Sequence, residues 1–212
     1  MNMVYLLLYV IAAMIVGFVM VKTYQEKDRM RRYVIVLLAL AMICIVSYSV
    51  NFMTDNYNVM SAATSIMMAA QDFLLVSLFI YTTEFARISN KVTKVMTIAA
   101  FVIAIIDSVV FIANIFNEIA VKYSLVKCDG IYVLGYEGEL WFGIHAVMSM
   151  IITACIIAVL VIKCIHIPGA YWGRYIVMAA GLAIIILIKC VFIYKIIDLR
   201  FDISIFLYAF IG

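Results

Sequence analysis

Uncharged apolar stretches recur along the chain at 4–21, 33–53, 58–81, 95–116, 140–162, 175–194 and from 203 onward. Crossing ~30 Å of hydrocarbon takes about 20 apolar residues as a helix, so the first six runs each predict one span. The last run reaches Gly212 after ten residues, which predicts a seventh helix that is cut short. Between the runs lie brief polar connections, with one longer exception at 117–139. No long internal repeat or linker divides the chain, so residues 1–212 are expected to form a single domain, with no output domain attached.

Composition sharpens this picture. Of 212 residues, 69% are hydrophobic and 13% charged, there is one proline, and the mean hydropathy is +1.21. A water-soluble domain averages about 45–50% apolar and about 25% charged residues, so a soluble globule is excluded, and no soluble catalytic domain fits between the spans. The net charge of +3 is too small and too dispersed for nucleic acid. The first run is not expected to be a signal peptide, because no basic residue precedes it and no small-residue cleavage site follows.

The placement of charge sets orientation. Lys22, Lys27, Arg29, Arg31 and Arg32 occupy the first connection, Arg87, Lys91 and Lys94 the third, and Lys163 and Arg174 the fifth. The other face receives Lys122, Lys127, Lys195 and Arg200. Basic residues beside spans are retained in the cytoplasm, which predicts an external amino terminus in the inner (plasma) membrane. The long connection at 117–139 is then outside. Within it, 119–126 and 131–136 are β-branched and aromatic, joined by a turn containing Asp129-Gly130, the pattern of a β-hairpin. The expected fold is therefore an all-α integral membrane bundle of seven transmembrane helices, the seventh truncated, with an extracellular hairpin between helices four and five.

Ionisable groups inside hydrocarbon cost roughly 2.5 to 3.5 kcal/mol each at mid-helix, so each needs a reason. Asp72, Asp107 and Lys189 are the three. Ser61, Ser65 and Asp72 fall on one helical stripe, as do Asp107 with Asn114 and Ser47 with Asn51, and His145 lies in the first turns of the fifth run. Such stripes must face protein or water. They predict an outward-facing polar pocket lined by Asn51, Asp72, Asp107, Asn114, His145 and Lys189 that accepts a small ligand. The bland counterpart is that the same groups pair with one another across helices. His145 and His166 fall on opposite membrane sides, so no metal pair is evident, and no cofactor is expected. Trp141 and Trp172 read as interfacial belt residues. The five cysteines do not support a disulfide framework, and only Cys128, on the outer side, and Cys190, near the outer end of its span, are left as an open pair.

Several segments resemble the amino-terminal seven-helix sensor region of membrane histidine kinases, a region also found fused to diguanylate cyclases. They are Phe79-Ile80-Tyr81-Thr82-Thr83-Glu84-Phe85 at the end of the third span, Leu134-Gly135-Tyr136-Glu137-Gly138-Glu139-Leu140-Trp141-Phe142 opening the fifth, the proline-and-aromatic loop 168–174, and the aspartate-containing connection 198–206. The resemblance implies a non-enzymatic input module of a bacterial two-component or related pathway. It would bind a small molecule from outside and signal through its last helix to a cytoplasmic output domain of the parent protein. A homodimer is implied by analogy with output domains that act in pairs. The rival reading is a small proton- or cation-coupled transporter using Asp72 and Asp107, which would need inverted repeats or glycine-broken helices. The sequence offers neither.

Overall fold

Apolar residues without internal breakers leave a chain in hydrocarbon one way to satisfy its backbone, by forming helices. The computed structural model describes residues 2–88, 90–128 and 131–193, and it contains six long helices in this range: α1 (Asn2–Gln25), α2 (Arg31–Ser49), α3 (Tyr57–Phe85), α4 (Lys91–Asn117), α5 (Leu140–Ile165) and α6 (Trp172–Ile193). The first five are long and apolar enough to cross a membrane. A short 3-10 turn, Val50–Phe52, extends α2. The run from 203, the connection at 198–206, the Asp129-Gly130 turn and the side chains of Cys128, Lys189 and Cys190 lie outside the described residues.

Polar residues mark the helix ends. Asn56 caps α3 by accepting from the backbone N–H groups of Asn58 and Val59. At α4, Asn90 and Thr93 each bond the other's backbone in a capping box. Such caps satisfy N–H groups that have no partner within the first helical turn. The chain leaves α4 through Glu118 in the left-handed conformation (φ 50°), with its N–H donating to the Asn114 carbonyl.

The helices are arranged around α3. It packs against α2, α4 and α5, while α1 flanks α2 and α6 flanks α5. It is buried along most of its length, whereas α1, α2, α4 and α5 leave most of theirs outside. The sequence of α3 explains this. Ser61, Ala63, Ser65, Ala69 and Ala70 are small and buried, so neighbouring helices approach closely, and the polar groups face protein instead of lipid. Two apolar clusters seal its sides. Leu37, Leu74, Leu78, Ile156, Leu160 and Leu182 join α2, α3, α5 and α6, while Tyr9, Val16, Leu38, Ile45 and Met67 join α1, α2 and α3.

Between α4 and α5 the chain forms an antiparallel hairpin of β1 (Val121–Cys128) and β2 (Ile131–Gly138), paired from Val121 with Gly138 to Cys128 with Ile131. An added bond from Glu139 N–H to the Ala120 carbonyl continues the pairing at 3.1 Å. Exposed Lys122 and half-buried Glu139 form an ion pair across the open end, and the hydrogen bond to Glu139 raises the lysine pKa. At the exit, a Cβ on Gly138 would meet the Phe142 ring at 2.5 Å, so only glycine lets the first turn of α5 fold back this closely.

Asn114 ties the hairpin to the bundle. Its side-chain carbonyl accepts from Ala120 N–H at 2.7 Å and Val121 N–H at 3.0 Å, and its amide donates to the Val121 carbonyl at 3.0 Å. Phe111, Ala120, Val121 and Tyr123 are buried around this joint. Burial raises the pKa of the Tyr123 phenol, partly offset by its bonds to Ser65 and Asn114. A tyrosine whose folded pKa exceeds its unfolded value of about 10 stabilises the fold below that pH and loses this contribution as pH rises through the folded value.

Two outcomes follow from this joint. Asn114→Ala leaves three buried backbone groups without partners and is expected to lower stability by about 3 kcal/mol, read by thermal unfolding in detergent. Alkaline destabilisation above about pH 10 is expected to be smaller in Tyr123→Phe than in the parent chain, and an identical pH profile in both would refute the role given to the phenol.

Candidate functional site

Three helices each contribute one ionisable side chain to a single buried cluster. Asp72 comes from the middle of α3, Asp107 from α4 and His145 from the second turn of α5. All three are less than a tenth exposed. His145 Nδ1 lies 2.6 Å from Asp107 Oδ2 and 3.3 Å from Asp72 Oδ1. The two carboxylates facing Nδ1 favour the tautomer that carries its hydrogen there.

A further donor fixes the second oxygen of Asp107. Trp141 Nε1 donates to Oδ1 at 2.7 Å, so this carboxylate is held from both sides and cannot rotate without losing a bond. Aromatic rings cover the imidazole: Phe111 meets it edge-on with centroids 4.8 Å apart, and Phe142 stacks at 6.2 Å. Beside this trio, Ser108 Oγ donates to the Ala69 carbonyl at 3.3 Å, crossing from α4 to α3. Seven residues towards the start of α3 from Asp72, Ser65 Oγ and the Tyr123 hydroxyl are 3.4 Å apart, which carries the polar stripe up to the hairpin. At the start of α3, the Tyr57 hydroxyl donates to Glu118 Oε1 at 2.5 Å.

Of the six residues expected to line a pocket, the structure brings together Asp72, Asp107 and His145. Asn114 is engaged in anchoring the hairpin. Asn51 bonds Thr64 across the start of α3, donating from its amide to Oγ1 at 3.1 Å. The side chain of Lys189 lies outside the described residues. The stripe of Ser61, Ser65 and Asp72 faces inward as its spacing implies, since all three are buried.

Sequence reasoning missed Trp141 and Tyr123. Trp141 reads as a membrane-interface residue because it opens a span, but its ring turns inward to meet Asp107. One signal was available: Trp141 and His145 are four residues apart and so share a helix face, which makes a buried histidine evidence for an inward tryptophan. His145 itself reads as a helix-end residue because it is five residues into α5, whereas Asp72 is fifteen residues, about 22 Å at 1.5 Å per residue, into α3. The helix ends are not level, so depth counted from a sequence terminus does not transfer between helices.

The opposite end of the bundle is joined by charge and aromatic stacking. Arg29, in the α1–α2 connection, pairs with Glu84 near the end of α3 at 3.3 Å. Phe85 stacks on Tyr81 with centroids 5.7 Å apart and meets the tilted ring of Tyr175 at 5.2 Å, linking α3 to α6. The cluster and this junction therefore sit on one continuous helix.

Comparison with known families finds that the model of the N-terminal 7TM region of histidine kinase matches residues 5–212. No curated protein matches the chain.

Trp141→Phe keeps a ring of similar shape but removes the donor to Asp107. It is expected to destabilise the chain by about 2 kcal/mol, the scale of a buried hydrogen bond to a charged acceptor. Thermal melting of the detergent-solubilised protein reads this, and an unchanged melting temperature would mean that Asp107 finds its partner elsewhere.

Proposed function

The chain belongs to the family of N-terminal 7TM regions of histidine kinase, and from that premise we propose that it binds a small ligand from the outer side and signals through its last helix to a cytoplasmic output domain of the parent protein. The region is a multi-pass membrane sensor domain and not itself catalytic. The single observation that carries the ligand-binding part is the convergence of Asp72, Asp107 and His145 from three helices on one buried point.

The physical reasoning is that of a two-state element. A ligand shifts an equilibrium only by its difference in affinity for the two packings. A buried ionic cluster supplies such a difference, because a small change in the spacing of α3, α4 and α5 alters several short polar contacts at once. Since α3 also carries Glu84 and Phe85 at its far end, a shift of this helix at the cluster is felt at the contacts with Arg29 and Tyr175. The uneven distribution of lysine and arginine supports an external amino terminus and hairpin, and in this reading the cluster lies beneath the hairpin in the outer half. Seven spans in one domain of residues 1–212 and a homodimer complete the reading.

The same aspartates suit a proton- or cation-coupled transporter, but that activity needs a path open in turn to each face, and family membership favours the sensor. In the full-length gene product, Asp72→Asn and Asp107→Asn are each expected to change basal output activity by about fivefold or more, the scale of ordinary allosteric coupling. Normal output from both variants, with membrane insertion and melting intact, would remove the cluster from signalling. Alkaline phosphatase fusions at residues 125 and 168 test topology, with activity expected only at the first.

A further inference from the structure

We infer that Asp72, Asp107 and His145 form a binding site for a divalent transition-metal ion, with Zn²⁺ the ion the donor set fits best. This rests on reading the cluster as the signal-binding site and names the ligand class for it. One donor atom from each of the three residues lies within 4.8 Å of the others. The set is one imidazole nitrogen and two carboxylate oxygens. Borderline nitrogen and oxygen donors of this kind suit zinc, and three protein ligands leave a fourth position for water or an exchangeable group.

Geometry supports the assignment. Bond lengths near 2.0–2.2 Å in a tetrahedron place neighbouring ligand atoms about 3.3 Å apart. His145 Nδ1 and Asp72 Oδ1 are already 3.3 Å apart, and Asp107 Oδ2 is 2.6 Å from the same nitrogen. Metal entry requires that the Nδ1 hydrogen leave as a proton and that the contact with Asp107 open by about 0.7 Å. The outer contact is in place as well: Trp141 holds Asp107 Oδ1, directing Oδ2 alone into the cluster, as partners of metal-bound carboxylates do.

Charge points the same way. Two carboxylates beside one imidazole match the charge of a single divalent cation. With a neutral imidazole the bound set is neutral, and because the ligands come from α3, α4 and α5, the ion fixes the spacing of three helices at once. That is the differential contact a sensor needs.

The test uses the full chain in lipid nanodiscs, stripped with chelator and titrated with Zn²⁺ by calorimetry, with Co²⁺ as the spectroscopic substitute. Trp172→Phe leaves Trp141 as the sole tryptophan of the two in the chain, a fluorescent reporter adjoining the site. The expected result is one Zn²⁺ per chain, a change in Trp141 emission on binding, and visible Co²⁺ absorption of four-coordinate type. His145→Ala and Asp72→Asn are expected to bind about a hundredfold more weakly and Trp141→Phe about tenfold, on the scale of supporting contacts. His145→Gln, closer in size, serves where alanine prevents folding. Folded parent chain that takes up no Zn²⁺, or uptake unchanged in the His145 and Asp72 variants, overturns the inference. Preference for Mn²⁺ with no Zn²⁺ bound overturns the choice of ion. Zinc bound here without any effect on output would sink the sensory reading alone, and an output change in Asp72→Asn without zinc binding would sink the metal site alone.

Discussion

The meeting of His145 with Asp107 and Asp72 is the constraint around which the bundle is arranged. Hydrocarbon offers no partner to a carboxylate, so each aspartate must be brought to a donor carried by another helix. One imidazole serves both, which fixes α3, α4 and α5 relative to one another in depth and rotation. Apolar packing alone would leave these helices free to slide, because lipid tails solvate leucine as well as neighbouring leucines do.

Other features elaborate this constraint. Small residues along α3 let the flanking helices come close enough for the polar contacts to form. The hairpin is held down by Asn114, which bonds the backbone of Ala120 and Val121, and by Tyr123, whose hydroxyl meets Ser65 on the polar stripe of α3. Trp141 enters from the first turn of α5 to complete Asp107. A buried network of this kind is stable only when its members are satisfied, and nearly every element at the hairpin end of the bundle contributes one residue to it.

The position of α3 gives the arrangement a direction. Its first half borders the hairpin and the ionic cluster, and its last turn meets the basic α1–α2 connection through Glu84 and the start of α6 through Phe85. A rigid helix with specific contacts at both ends converts a local change in spacing into a displacement at the far end. This joins the cluster to the Arg29–Glu84 and Phe85–Tyr175 contacts at the opposite end of the bundle.

Much of this protein was legible from the residues in order. The periodic apolar runs predicted the six described helices to within a few residues, because solvation in hydrocarbon permits little else. The Asp129-Gly130 turn between β-branched runs predicted the hairpin, and the four- and seven-residue spacings placed Ser61, Ser65, Asp72, Asp107 and Asn114 on inward faces. Tertiary structure alone decided which polar residues meet. Asn51 and Asn114 look like pocket residues in sequence but are engaged with Thr64 and the hairpin backbone, while Trp141 turns from the interface to the core. The reason is that helical periodicity reports the direction of a side chain about its own axis and nothing of the relative height or rotation of separate helices. Those are set by contacts between residues 34 to 73 positions apart, such as Trp141 with Asp107 and His145 with Asp72.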